Sequence, residues 1–126
     1  MMIPYDNIDP EIRPLIKALN NTSCIVTVGC CIGHSLDPIS SVIFYVVDEM
    51  EWRKCMLDIL RLNSEIREAN IEIYQWYRMG DNDRCLVDWK IELQVHPRNS
   101  EISEPEEQRI ARIKQGVISK IVELIA

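Results

Sequence analysis

The chain has 126 residues, a length that builds one hydrophobic core and is short for two. Its 47% apolar and 27% charged content, with the charges interspersed, excludes a disordered chain. A net charge of −6, with Lys and Arg scattered along the chain, supplies no basic stripe, so duplex DNA is not an expected partner.

No apolar run approaches the length of a membrane span, and the N-terminus lacks a cationic segment leading into an apolar one. Five cysteines, an odd count without a secretion signal, favour free thiols in a reducing cytoplasm over a disulfide framework.

Asp9-Pro10 reads as an N-cap followed by proline, and Ile12, Leu15, Ile16 and Leu19 recur at helical spacing, so a first helix is expected from about Pro10 to Leu19. Asn20-Asn21 is its stop signal. Cys24 to Val28 is a short β-branched run and Ser40 to Val47 a longer one, apolar on both parities from Val42, as in a central strand. Asp48 with Glu51 resembles a capping box, and Trp52, Cys55, Met56, Ile59 and Leu60 form the stripe of a second helix ending near Asn63.

Ile71 to Tyr77, the turn Gly80-Asp81-Asn82-Asp83, and Cys85 to Val95 then read as a hairpin. Cys85, Val87, Trp89, Ile91, Leu93 and Val95 alternate with polar residues, so one hairpin face is expected to be buried. Ser103, Pro105 and Glu106 open a last helix on which Ile110, Ile113, Val117, Ile121 and Leu124 share a face and Ile118, Val122 and Ile125 add a second stripe. That second stripe is either buried or packed against another subunit, and it makes a homo-oligomer, a dimer through the C-terminal helix, the expected assembly.

The element order is α-β-β-α-β-β-α. It predicts an α+β domain of two layers, with a mixed or antiparallel sheet of about four strands and three helices on one side. The α-β-β unit occurs twice, without matching residues that would establish a repeat.

Chemically pointed residues cluster in Gly29-Cys30-Cys31-Ile32-Gly33-His34-Ser35-Leu36-Asp37-Pro38. Cys31, Gly33, His34 and Asp37, with His96 and Arg98 from the end of the last strand, are the candidate site for an anionic or nucleotide-like small molecule. The two glycines would let backbone N–H groups approach an anion while His34 donates to it.

Cys31, His34 and His96 are the candidate metal ligands, a Cys-x-x-His pair and a distant imidazole leaving one tetrahedral position open. Against this, a buried free cysteine ordinarily packs as a small hydrophobe. Alternatively His34 would stabilise a Cys31 thiolate. His96 by itself is read as a solvated strand end.

Tyr74, Trp76 and Arg78 share one strand face, where stacking of a base or ring is one reading and core or interface packing is the favoured expectation. The acidic run Asp81-Asn82-Asp83 is explained by turn chemistry rather than by calcium.

The stretch Ile8-Asp9-Pro10-Glu11-Ile12-Arg13-Pro14-Leu15-Ile16-Lys17-Ala18-Leu19-Asn20, followed by Thr27-Val28-Gly29-Cys30-Cys31-Ile32-Gly33-His34, resembles a group of small microbial proteins without an assigned activity. Their shared pattern is a helix, a strand and a Cys-x-Gly-His loop. More distantly, Leu15 through His34 is similar in shape to the wybutosine-synthesis tRNA methyltransferase family, with its helix ending in Asn and its Ser-Cys-Ser-Gly-Arg loop. The resemblance implies that Cys31, Gly33 and His34 line a site, and that tRNA modification is one alternative function. A non-catalytic oligomerising protein is the other.

Overall fold

A computed structural model describes residues 12–32, 39–97 and 104–125, with 29–32 described as backbone. The elements follow the expected order: α1 (Arg13–Asn21), β1 (Ile25–Ile32), β2 (Ile39–Val46), α2 (Glu49–Asn63), β3 (Ala69–Met79), β4 (Cys85–Val95) and α3 (Glu106–Ile125). All strand pairings are antiparallel, in the order β1-β2-β4-β3. The expected mixed or antiparallel sheet is therefore antiparallel throughout the described residues, with β2 central.

Core-facing residues follow the period of two along each strand: Val42 and Phe44 on β2, Ala69 and Ile71 on β3, Ile91, Leu93 and Val95 on β4. Leu15, Ile16 and Leu19 of α1, Trp52 and Ile59 of α2, and Ile110, Ile113, Val117, Ile118 and Ile121 of α3 meet them in one cluster. At its centre Trp52 stands edge-on to Phe44 at 4.8 Å and to Trp89 at 5.6 Å, the T-shaped geometry that aromatic quadrupoles favour.

Several boundaries differ from those the sequence suggests. Asp9 and Pro10 lie outside the described residues; α1 is described from Arg13, with Pro14 in its first turn, and runs through Asn20 to Asn21. Strand β1 does not stop at Val28 but continues through Gly29, Cys30 and Cys31, because β2 is long enough to pair with them after an irregularity between Thr27 and Gly29.

On α2, Asp48 caps the helix as expected, accepting from the Glu51 N–H at 3.2 Å, whereas Leu60 is exposed. On α3, Ile118 is buried and Val122 and Ile125 pack against the same core, so the second stripe is occupied within the chain; Leu124 is exposed. Among the described residues no helix is long and apolar enough to cross a membrane.

The two α-β-β units share a device that sequence patterning did not disclose. Asn20, near the end of α1, accepts at Oδ1 from the Thr27 N–H (3.1 Å) and hydroxyl (2.9 Å). Asn63, at the end of α2, accepts at Oδ1 from the Ile71 N–H at 2.7 Å. In each unit a helix-terminal asparagine reaches forward to the edge strand that follows. With β2 and β4 central and β1 and β3 outermost, the sheet order itself is pseudo-twofold.

Candidate functional site

Of the expected site residues, His96 and the backbone of Cys31 are among those described. Ile32 pairs with Ser40 and Ile39 with Gln94, so Ile32 and Ile39 lie at the end of the sheet where β4 runs into His96. Cys31 is a strand residue in register with Ser41. Gly33, His34, Asp37 and Arg98 lie outside the described residues, so the Cys31/His34/His96 ligand set is described only at His96. Among the described residues, no cluster of His, Cys, Asp and Glu could hold a metal ion.

His96 is exposed and held by backbone. Its N–H donates to the Glu68 carbonyl at 2.9 Å, and Nδ1 lies 3.0 Å from the Arg67 carbonyl. A carbonyl only accepts, so Nδ1 carries a proton, and Nε2 is the ring nitrogen left to face a ligand. The His96 carbonyl in turn accepts from the buried Arg109 guanidinium.

Beside this strand end lies an open cleft of about 290 Å3, lined by Arg67, Arg112 and Lys120 together with Glu65 and Glu68. Arg112 is already engaged by both Glu104 oxygens, at 3.2 and 3.0 Å, which holds its guanidinium more firmly protonated than usual. Arg112 also lies 3.7 Å from Glu68, so three cations meet three carboxylates here and the cleft is mixed in charge.

The opposite end of the sheet departs most from expectation. β2 pairs with β4 only from Phe44–Trp89 to Ile39–Gln94, so the residues of β4 before Trp89 have β3 alone beside them. The hairpin therefore leaves the layered domain as a two-stranded arm, and its tip carries no buried face. Tyr74, Trp76, Tyr77, Met79 and Val87 are 41%, 48%, 61%, 74% and 39% exposed.

This corrects one expectation, since the alternation of β4 is buried only from Trp89 onward, and it narrows another: Tyr74 and Trp76 lie outside the core, which leaves interface packing of the two kinds expected for them. The cause is strand length, since β3 and β4 have 11 residues each against 8 for β1 and β2. At the tip, Asn82 and Asp83 adopt φ of 60° and 58°, the left-handed turn conformation expected of Asn and Asp.

A two-stranded ribbon is marginal in water, so the arm needs local fixings. The clearest is an ion pair on the face away from the helices, with Arg78 Nε donating to Asp88 Oδ2 at 2.5 Å and Asp88 only 4% exposed. Beside it Tyr74, Gln75, Trp76, Lys90 and Glu92 form a shallow depression of about 380 Å3. The alternation of Cys85 to Val95 gave no sign of the displayed arm; the length of that run beside Cys24–Val28 and Ser40–Val47 was the signal that could have found it.

No curated protein and no solved structure matches the chain, so the likeness to the wybutosine-synthesis family gains no support from them. Residues 1–126, the whole chain, match the family model described as YoqC prophage protein, and the chain belongs to that family.

Proposed function

We propose that the chain is a non-catalytic interaction protein of the cytoplasm whose β3–β4 arm is its contact element. The observation that carries this reading is the display of Tyr74, Trp76, Tyr77 and Met79 on a ribbon with no layer over its tip. Rigid aromatic side chains bury large areas at low entropic cost and dominate binding energy at interfaces, whereas on a free monomer they are an unfavourable exposure.

A benzophenone-bearing phenylalanine at position 77, photoactivated in cells, is expected to link the chain to a discrete protein. The same group at position 50, comparably exposed but on α2, is the control. Indistinguishable labelling from the two positions would overturn the reading.

A second reading keeps the sheet end as the site of an anionic or nucleotide-like small molecule, held by the Gly29 to Asp37 loop with His96 and Arg98. It is supported by the register that puts Ile32 and Ile39 at the sheet end where β4 runs into His96, and by the cations Arg67, Arg112 and Lys120 beside it. Calorimetric titration with inorganic phosphate and with a mononucleotide tests it: His96→Ala should weaken binding, and no heat with either anion rejects the reading.

A further inference from the structure

We infer that the occupant of the arm is a second copy of this chain, joined edge to edge through β3 in one register, with Gln75 opposite Gln75. The inference rests on the interaction reading above and names its partner.

The edge itself is open. The Ile71 N–H turns away from β4 to reach Asn63. Because backbone groups alternate along a strand, those of Ile73, Gln75, Tyr77 and Met79 point the same way, and they have no hydrogen-bond partner among the described residues. The other outer strand, β1, is shorter and has an irregular register after Thr27, a feature that blunts edges. β3 runs through all of Ala69–Met79 in unbroken register, without proline.

One antiparallel register satisfies the outward groups of Ile73, Gln75 and Tyr77 at once. With Gln75 on a twofold axis, Gln75 faces Gln75 and Ile73 faces Tyr77 of the second copy, all of them residues whose N–H and C=O point outward, so each pair exchanges both bonds. The residues between them form the non-hydrogen-bonded pairs, whose side chains lie closest: Tyr74 meets Trp76 of the second copy, and Glu72 meets Arg78.

The charge match answers a deficit in the single chain. Glu72 stands opposite Glu92 in the β3–β4 ladder, an unfavourable like-charge pair. Lys90, 3.6 Å away, serves Glu92, while Glu72 receives a hydrogen bond from Asn70 and has no ion pair among the described residues. Arg78 is half-exposed and uses Nε for Asp88, leaving its terminal nitrogens available. Shifting the twofold axis to Ile73 or Tyr77 keeps the backbone bonds but separates Glu72 from Arg78. Neighbouring contact is thereby tied to a single register, and the two sheets join into one of eight strands.

Sedimentation velocity of the full chain is expected to show a dimer that Gln75→Pro dissolves. Proline at this edge position removes only an outward N–H, so the variant should retain the circular dichroism of the unaltered protein. The register has its own test in a Cys85→Ser background, since Cys85 is exposed. Tyr74→Cys protein mixed with Trp76→Cys protein should form a disulfide between positions 74 and 76 under mild oxidation, and neither alone should link through its new cysteine.

A dimer that survives Gln75→Pro, or a mixture that forms no 74–76 link, overturns the inference. A chain that sediments as a monomer throughout yet photolinks from position 77 to a different protein also overturns self-pairing, and leaves the arm reading standing.

Discussion

Asn20→Ala is the substitution whose cost follows most directly from the geometry. Asn20 Oδ1 accepts from both the backbone N–H and the hydroxyl of Thr27, and Thr27 is fully buried. Alanine leaves two donors in the core without that acceptor. A buried donor stripped of its partner costs about 1–3 kcal/mol; the hydroxyl can rotate to recover part of this and the backbone N–H cannot, so about 2–4 kcal/mol is expected. For a domain of this size that lowers Tm by roughly 8–15 °C.

Urea titration followed by tryptophan fluorescence reads the change, since Trp52 lies in the core. Thr27→Val in the Asn20→Ala background removes the stranded hydroxyl and should cost less than it does in the unaltered protein, giving a coupling of about 1–2 kcal/mol. Loss of under about 0.5 kcal/mol from Asn20→Ala, the range of an ordinary surface change, would refute the clamp.

Arg78→Ala leaves the Asp88 carboxylate buried without its ion-pair partner; because Arg78 is half-exposed, we expect about 1–3 kcal/mol, less than for a fully buried pair, together with earlier hydrogen exchange in the arm than in the core strands. The Cys55 thiol is pushed up to about 11 by burial first, then by Cys24 and Asp58. At pH 8 its thiolate fraction is then on the order of 10−3 against about 0.2 for a free thiol, so its alkylation should run roughly 200-fold slower than that of glutathione and climb toward pH 11; a rate equal to glutathione's would contradict the burial. Trp52 is fully buried and Trp89 partly so, which leaves Trp76 as the most exposed indole. Acrylamide should quench a fraction of the fluorescence that Trp76→Phe removes, and an unchanged quenchable fraction would show that the arm's indole is covered.

The element order, the central position of β2, the Asp48 cap and the buried face of α3 were legible because each follows from local rules: side-chain period, capping chemistry and turn residues within a few positions of one another. The chain's family rests on the match of its whole length to the YoqC prophage protein model rather than on the short Cys-x-Gly-His pattern.

Burial of the hairpin was not legible, since Cys85, Val87 and Trp89 have the same alternation whether or not a layer lies over them. Only the point where β2 ends, at Phe44 against Trp89, decides which of them is covered. The roles of Asn20 and Asn63 were hidden for a similar reason. At a helix end asparagine reads as a stop signal, and its side chain's reach to Thr27 or Ile71 depends on where the next strand is laid.

The sequence by itself determined the secondary structure and its two-layer packing, because periodicity is a property of neighbours in the chain. Tertiary structure alone decided which edge stays open and which aromatics stay exposed, because those depend on how far strands distant in sequence run alongside one another.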